Sequence, residues 1–378
     1  MSRPPVSPIT SARLAGWAWQ GLALAVLGLV LVMAARTGAA NLRASGLASG
    51  FDFLHRAAGF DIAETAIAYS PRDSNARVFW VGTVNTLRVT ALAGVFATAL
   101  GVGFGVALRT RAPWMRGLAR AYVELTRNMP LPILLLVLYS LLAMAPPPRE
   151  AIELGGLGFV SNRGLYLPRI EWRWGSGTAL AGAGLALAAL VGIWRAAPTR
   201  RVAMALSISW LGFCGLGLVL SVSGLDLPRP QGFGFVGGSV LSPPLLALVA
   251  ALSLYSGGYI AEVVRGGLAA VDAGQAEAAQ ALGLSPIQTL RWVTLPQALR
   301  VAAPPLASQY LNLAKNASLA IVVGYPDLVA LFGGTVLNQT GQAVETLGMI
   351  LGFYLVLSLS LSGLINLWAA RQARWAVR

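Results

Sequence analysis

The sequence is divided into long apolar runs separated by short segments that carry most of its arginines. A helix needs about 20 mostly apolar residues to cross the hydrocarbon core of a bilayer. Hydrophobic residues make up 56% of the 378 residues and charged residues only 11%, whereas about a quarter of the residues in soluble domains are charged. We therefore predict an all-α, polytopic membrane protein with about eight transmembrane helices, near residues 17–35, 79–108, 118–143, 178–194, 202–222, 244–264, 301–323 and 346–370.

The first apolar run follows two arginines, as the core of a secretory signal peptide would. It lacks a clear small-residue cleavage site, so we interpret it as a retained helix. Residues 36–77 are polar and predict a segment outside the membrane, which we expect to lie in the periplasm. Within this segment, Phe51, Phe53, Leu54 and Phe60 are expected to pack as a small amphipathic piece on the membrane surface. Residues 1–78 thus form an N-terminal unit.

The distribution of arginine predicts the orientation of the chain. Eight spans place both termini on one side, and the segments on that side carry 15 basic residues, while the opposite loops carry nearly all the acidic residues. Because basic residues accumulate on the cytoplasmic side, both termini and the 371–378 tail are predicted to be cytoplasmic. The net charge of +14 does not indicate nucleic-acid binding, because the basic residues lie at the ends of apolar runs and form no cluster.

Several catalytic classes are disfavoured by the residues that are present. The chain has one cysteine, Cys214, and one histidine, His55, which disfavours an internal disulfide and a zinc site. It contains no Gly-x-x-x-x-Gly-Lys phosphate-binding motif, so it is not predicted to hydrolyse ATP itself. Four glycines within one apolar run favour close helix packing over phosphate binding; they are Gly94, Gly101, Gly103 and Gly105.

One segment between the last apolar runs has a distinctive local pattern. Residues 277–282 consist of strong helix formers, and Gly283 can adopt the left-handed conformation that ends a helix. Ser285 and Pro286 suit the cap and first turn of a second helix. Leu295-Pro296 is expected to end that second helix, because proline disfavours helical backbone at the residue before it. The pattern predicts two short helices that meet at a bend.

The spacing of this segment resembles the cytoplasmic coupling loop of permease subunits in ABC importers. The resemblance rests on one spaced pattern: Glu-Ala-Ala, then three residues of any type, a Gly, nine further residues, and finally aliphatic-x-Leu-Pro. This pattern occurs here without a gap. It implies a type I ABC importer transmembrane fold over residues 79–370, in which this coupling segment (Glu277–Pro296) docks on a separate ATPase. The resemblance implies contact or bending roles for Glu277, Ala278, Ala279, Gly283, Leu295 and Pro296.

Two groups of polar residues lie inside predicted spans, where ionisable side chains are costly and often functional. In the first, Glu124 and Asn128 share a helix face ahead of Pro130 and Pro132, which are expected to break the helix. In the second, Lys315, the only lysine, is flanked by polar neighbours. Both groups are predicted to line the substrate pathway; the second comprises Asn312, Lys315, Asn316 and Ser318. Alternatively, the charged side chains snorkel to the interface or form structural pairs.

These polar runs carry a narrower resemblance. Tyr-x-Glu-x-x-Arg-Asn-x-Pro-Leu and Lys-Asn-x-Ser-Leu are similar to the polar amino acid branch of the permeases, the His/Glu/Gln/Arg/opine class. Residues 41–62 and 162–168 resemble the larger permease of general L-amino acid and glutamate/glutamine/aspartate/asparagine importers. Met129 stands where threonine is usual, and Ala317 stands where a hydroxyl residue is usual, which puts a hydroxyl contact there in doubt.

The resemblance implies a permease subunit that moves polar L-amino acids across the bacterial inner membrane by alternating access. The expected partners are two ATPase copies, a second permease, a periplasmic binding protein and membrane lipid. ATP and Mg²⁺ would bind the ATPase, and no cofactor is expected in this chain. Residues 145–243 would form an insertion with two extra helices. A secondary transporter or channel without an ATPase is the alternative; a membrane enzyme, or a permease for osmolytes or metals, is disfavoured.

Overall fold

A computed structural model describes residues 50–172 and 222–374, with isolated helical residues at 19–38 and 189–214, and the side chains up to residue 365. The predicted first, fourth and fifth spans lie largely outside the described residues. The described part is mainly helical, as predicted, with short strands in the predicted insertion.

Two long helices form the centre of the bundle, α1 (Asn75–Ala107) and α4 (Pro243–Ala269). Both approximate predicted spans. They pack closely because Gly101 and Gly105 of α1 have no side chain: a Cβ at Gly105 would meet the Val264 Cβ at 2.7 Å and the Ala261 carbonyl oxygen at 2.8 Å. The close-packing interpretation is confirmed at these two glycines. It is wrong for Gly94 and Gly103, where a Cβ would meet nothing within 4 Å.

The predicted third span is a broken helix. It consists of α2 (Pro113–Asn128) and α3 (Leu131–Ala143), whose axes meet at 107°. The break falls at Met129 and Pro130, as predicted, because proline excludes helical backbone at the residue before it and donates no amide hydrogen bond. The predicted span near residues 118–143 is therefore present as this broken pair. The α2 half crosses α4, where the Tyr122 hydroxyl donates to the Leu254 carbonyl at 2.8 Å.

Three short elements, α5 (Ala273–Ala281), α6 (Pro286–Thr289) and a π-helical turn (Leu290–Thr294), connect α4 to α7 (Leu295–Asn316). A 3₁₀ helix (Ala317–Val323) extends α7, so the predicted seventh span changes its helix type at residue 317. A π-helix (Val329–Val336), α8 (Leu337–Thr340) and the long α9 (Ala343–Arg374) follow. Leu313, Ala317 and Ala320 are buried in the main core together with Leu248 and Leu252 of α4.

Short antiparallel strands lie at both ends of the predicted insertion, remote from the coupling segment. The strands, numbered in chain order, are β1 (Ile152–Glu153), β2 (Phe159–Ser161), β3 (Gly164–Leu167), β4 (Arg169–Trp172), β5 (Val222–Asp226), β6 (Arg229–Gln231), β7 (Gly234–Val236) and β8 (Ser239–Leu241). One sheet has the order β1-β2-β3-β8, and β4-β5 and β6-β7 form two-stranded ribbons. In the four-stranded sheet, Tyr166 pairs with Phe159 on one side and Val240 on the other. The strands bring the two ends of the insertion together.

Residues 50–74 fold over the end of the bundle remote from the coupling segment. Phe53 is fully buried and lies 6.2 Å, ring centre to ring centre, from Phe332, so its prediction as a membrane-surface residue is wrong. The Glu64 carboxylate pairs with Arg88 of α1 at 2.8 Å and accepts a hydrogen bond from the Ser242 hydroxyl at the start of α4. These contacts attach the N-terminal segment to both central helices.

Three helices in the described part, α1, α4 and α9, are long and apolar enough to cross a membrane. The broken pair of α2 and α3 makes a fourth candidate if it counts as one span. Helix α7 is not in this group, because glutamine, serine, asparagine and lysine interrupt its apolar residues. Its surface therefore suits a protein or water-filled neighbour better than lipid.

Candidate functional site

The first part of the coupling segment, α5, ends in a complete left-handed cap. Gly283 has a φ of +82°, as predicted from its position. Its amide donates to the Gln280 carbonyl at 2.9 Å, and the Leu284 amide donates to the Ala279 carbonyl at 3.1 Å. This pair of hydrogen bonds defines a Schellman motif, in which only glycine avoids a steric penalty. The motif fixes the direction in which the chain leaves α5.

The second short helix, α6, begins where the sequence predicts. The Ser285 hydroxyl accepts from the Gln288 amide at 3.4 Å, and the Gln288 side chain accepts from the Ser285 amide at 2.9 Å. This reciprocal capping box satisfies two amide groups that a helix start leaves unpaired. The two short helices and the bend between them are therefore confirmed.

The predicted end of the second helix at Leu295-Pro296 is wrong. Helical backbone continues through the π-helical turn into α7, and the Leu295 amide donates to the Leu290 carbonyl, five residues earlier. A π turn shifts the hydrogen-bond register by one residue, and Pro296 then lies in the first turn of α7. Proline is tolerated in a first turn, where no amide hydrogen is required. Leu295 and Pro296 therefore continue the coupling segment into α7 without a break in the helical backbone.

The coupling segment presents an unusual surface. Glu277 and Ala278 are exposed, whereas Ala279 is buried. Three large apolar side chains of the segment are also strongly exposed: Leu282 at 84%, Ile287 at 77% and Trp292 at 59%. Exposed apolar clusters with a polar rim mark protein interaction sites. Because Glu277, Ala278 and these apolar side chains lie in one short segment, the segment has the composition of a docking surface.

The coupling segment also contacts the membrane helices. Leu290 and Leu295 line an apolar groove of about 670 Å³ between α1, α4, α7 and α9. Just beyond Ala269, the Asp272 carboxylate caps α5 by accepting from the Gly274 amide at 2.7 Å. The central helix α4 is thus separated from α5 by only three residues.

Two members of the second predicted polar group, Asn312 and Lys315, form an exposed stripe along α7 together with Ser308. These three residues lie three to four positions apart, which is one face of a helix. Asn316 is partly buried, and the Ser318 hydroxyl donates to the Lys315 carbonyl at 2.8 Å. The stripe leaves Lys315 accessible on the surface of the isolated subunit.

The first predicted polar group lies in a cleft between α2 and α4. Glu124 and Asn128 line this cleft, whose volume is about 520 Å³. Across the cleft, Glu262 of α4 binds Arg265 at 2.8 Å and lies 3.8 Å from Arg127 of α2. The cleft also contains Leu108, Arg120, Val123 and Tyr259.

The structure does not bring the two predicted polar groups together. Gly267 of α4 lies beside Ala298 and Ala302 of α7. Counting from that contact at 1.5 Å per residue, Glu262 lies about 8 Å and Lys315 about 20 Å farther from the coupling segment. Lys315 therefore lies about 12 Å farther along the bundle than Glu262.

Sequence reasoning missed the α4 side of the cleft. Glu262 and Arg265 stand three residues apart at the end of an apolar run. The i, i+3 spacing of opposite charges was a usable signal for a paired site. The Glu262–Arg265 pair lies near Glu124 only because α2 crosses α4, and the order of residues along the sequence does not reveal that crossing.

Residues 97–374 match the family described as "Binding-protein-dependent transport system inner membrane component". The chain belongs to this family. It is 44% identical over 370 residues to the permease protein YhdX of Escherichia coli K12, covering 94% of both chains. It is 41% identical to the general L-amino acid transport system permease protein AapQ of Rhizobium johnstonii, covering 94% of this chain and 91% of AapQ.

A third relative is the glutamate/glutamine/aspartate/asparagine transport system permease protein BztB of Rhodobacter capsulatus. It is 36% identical over 369 residues, which cover 87% of this chain and 86% of BztB. The protein is thus a multi-pass membrane permease subunit of an ABC importer, with a type I transmembrane fold, and it is not itself an enzyme. The predicted family and its amino acid branch are confirmed.

Proposed function

We propose that this permease subunit imports polar L-amino acids and is driven by an ATPase that docks on Glu277–Pro296. The observation that carries the proposal is the exposed surface of the coupling segment, where Glu277 lies close in sequence to the exposed apolar side chains of Leu282, Ile287 and Trp292. The AapQ and BztB relatives carry names that specify amino acids as substrates. Their similarity over most of the chain supports the same substrate class here.

The ATPase partner would supply the energy for transport. Since the sequence has no phosphate-binding motif, ATP and Mg²⁺ would bind the partner, in two copies per complex. Glu277 would make a polar contact in a cleft of the ATPase, and the small Ala278 would permit close approach. Because α5 is separated from α4 by three residues, ATPase closure would be transmitted to the bundle.

A second permease would cover the polar face of α7. Asn312 and Lys315 are exposed in the isolated subunit and would be costly to place against lipid. A second subunit facing this stripe would enclose a water-filled pathway between the two chains. Lys315 would attract the carboxylate of an amino acid released by a periplasmic binding protein, and Asn312, Asn316 and Ser318 would offer polar contacts.

Transport would follow alternating access. ATP binding would draw the coupling segments of the two permeases together and open the outer side to the docked binding protein; hydrolysis would restore the inward-facing state. We place the complex in the bacterial inner membrane with both termini in the cytoplasm. The excess of arginine on the side of the coupling segment supports this orientation.

Affinity purification tests the coupling role directly. Wild-type protein is extracted in detergent, and co-purifying proteins are identified by mass spectrometry. Glu277→Arg is expected to lose the ATPase and to retain the second permease, because only the docking contact changes. Glu153→Arg is the matched control, since it makes the same charge change on an exposed strand residue remote from the coupling segment.

The outcomes separate the proposal from its alternative. Loss of the ATPase from Glu277→Arg alone supports docking at this segment. Equal ATPase recovery from both variants would remove Glu277 from the interface. A wild-type protein that purifies without an ATPase and still transports amino acids would contradict the ATP-driven mechanism and favour a secondary carrier.

A further inference from the structure

The apolar groove between α1, α4, α7 and α9 extends from the coupling segment into the bundle. Its volume is about 670 Å³, and its lining side chains are aliphatic except for Thr98 and Tyr310. The Thr98 hydroxyl donates to the Gly94 carbonyl at 2.6 Å and lies 2.7 Å from the Tyr310 hydroxyl, so both hydroxyls are paired. The groove therefore presents no unpaired polar side chain, and it suits a hydrocarbon chain.

The groove lies on the side of α7 away from the polar stripe. Leu306 lines the groove, whereas Lys315 belongs to the stripe. These two residues are nine positions apart, which is about two and a half helical turns, so their side chains leave α7 on opposite sides. A second permease facing the stripe would lie on the other side of α7, which leaves the groove accessible to membrane lipid.

Two arginines continue the walls of the groove at the end nearest the coupling segment. Arg109 lies seven residues after Val102 of α1, and Arg300 lies seven residues before Ala307 of α7; both smaller residues line the groove. Seven residues are close to two full turns, so each arginine shares a helix face with its groove residue. Both arginines are exposed, and neither has an ion pair with a described residue.

We propose that this groove binds a phospholipid with a negatively charged headgroup, taken from the membrane leaflet on the side of the coupling segment. One acyl chain would occupy the apolar groove, and Arg109 and Arg300 would bind the phosphate. Basic pockets between transmembrane helices bind anionic headgroups, and the guanidinium group matches the geometry of a phosphate. The site goes beyond the proposed function, because it requires neither the amino acid nor the ATPase.

The bound lipid would connect the coupling segment to the helix bundle. Leu290 and Leu295 of the coupling segment form part of the groove, and Val106 of α1 and Leu364 of α9 form other parts. An acyl chain in the groove would contact all of these elements and add the dispersion contacts that an empty groove lacks.

Lipid titration followed by native mass spectrometry tests the site. The full-length protein, in the complex in which it purifies, is stripped of lipid in detergent and titrated with dioleoyl phosphatidylglycerol. Dioleoyl phosphatidylcholine is the matched lipid, since its acyl chains are identical and its headgroup has no net charge. Glycerol 3-phosphate, which has the phosphate but no acyl chain, is added as a competitor.

Wild-type protein is expected to bind phosphatidylglycerol saturably and more tightly than phosphatidylcholine, and glycerol 3-phosphate should not displace it. One arginine near a membrane surface changes the affinity for anionic lipid about fivefold. Arg109→Gln and Arg300→Gln should therefore each weaken phosphatidylglycerol binding by about this factor and leave phosphatidylcholine binding unchanged. Arg116→Gln, at an exposed residue outside the groove, should match wild type. Ala307→Phe, which fills the groove, should remove the saturable site for both lipids.

Equal binding of the two lipids by wild type, or an unchanged preference for phosphatidylglycerol in both arginine variants, would overturn the site. Displacement by glycerol 3-phosphate would also overturn it, because it would show an anion site without an acyl chain. The absence of saturable lipid from wild type would reject the lipid in favour of another occupant, such as the apolar run at residues 17–35. Size-exclusion chromatography verifies the assembly of each variant, and the two exposed arginines keep the test decisive if Ala307→Phe does not assemble.

Discussion

A single methyl group at Gly105 should separate the two central helices. In Gly105→Ala, the new Cβ would lie 2.7 Å from the Val264 Cβ and 2.8 Å from the Ala261 carbonyl oxygen. Neither atom can rotate away, because one is fixed to the backbone and the other belongs to it. Unstrained carbon atoms approach to about 3.5–4.0 Å, so α1 and α4 would have to move apart by roughly 1 Å.

The size of the effect can be isolated with a glycine on the same helix. Overpacking of a well-packed interface costs about 1–3 kcal/mol. Each glycine-to-alanine change in a helix also gains about 0.5–1 kcal/mol in helix propensity. Gly103→Ala provides this gain without the clash, since its Cβ would meet nothing within 4 Å. The difference between the two variants, about 1–3 kcal/mol, is therefore the packing cost alone.

The two variants are heated in detergent to a series of temperatures, and the folded fraction that remains is measured by size-exclusion chromatography. The temperature at which half of the protein is lost is the unfolding midpoint. Gly103→Ala should have a midpoint at or above that of wild type, and Gly105→Ala should have a lower midpoint. Equal midpoints would refute the reasoning, because they would show that α1 and α4 do not approach as closely as the glycine contacts require.

Three further predictions follow from other parts of the chain. Phe53→Ala should destabilise the protein by about 3–5 kcal/mol through the cavity it leaves, whereas Phe51→Ala, at a residue 57% exposed, should have little effect on the same thermal measurement. Ser285→Ala should remove the cap of α6 and lower the stability of this helix by about 1 kcal/mol. Faster amide hydrogen exchange confined to the coupling segment would confirm this loss, and unchanged exchange would contradict it. Lys315→Met should impair uptake while the ATPase still co-purifies; normal uptake of every amino acid would remove Lys315 from the substrate pathway.

Much of the local structure was predictable because it depends on neighbouring residues. The break before Pro130 follows from the missing amide hydrogen and the ring of proline, and the left-handed backbone at Gly283 follows from the missing Cβ. The capping box at Ser285 likewise needs only Gln288, three residues away. The positions of α1, α4 and α9 follow from apolar runs long enough to cross a bilayer.

The sequence by itself thus determined the membrane class, the positions of α1, α4 and α9, and the two short helices on either side of Gly283, since each depends on local chemistry or on the length of an apolar run. Tertiary structure decided which side chains meet. Gly101 and Gly105 face α4, while Gly94 and Gly103 do not. Phe53, within the segment 50–74, is buried against the π-helix near residue 332. The crossing of α2 over α4 brings Glu124 to the same cleft as Glu262 and leaves Lys315 at another depth. Contacts between distant residues depend on how whole helices pack, and no pattern along one helix specifies its neighbour.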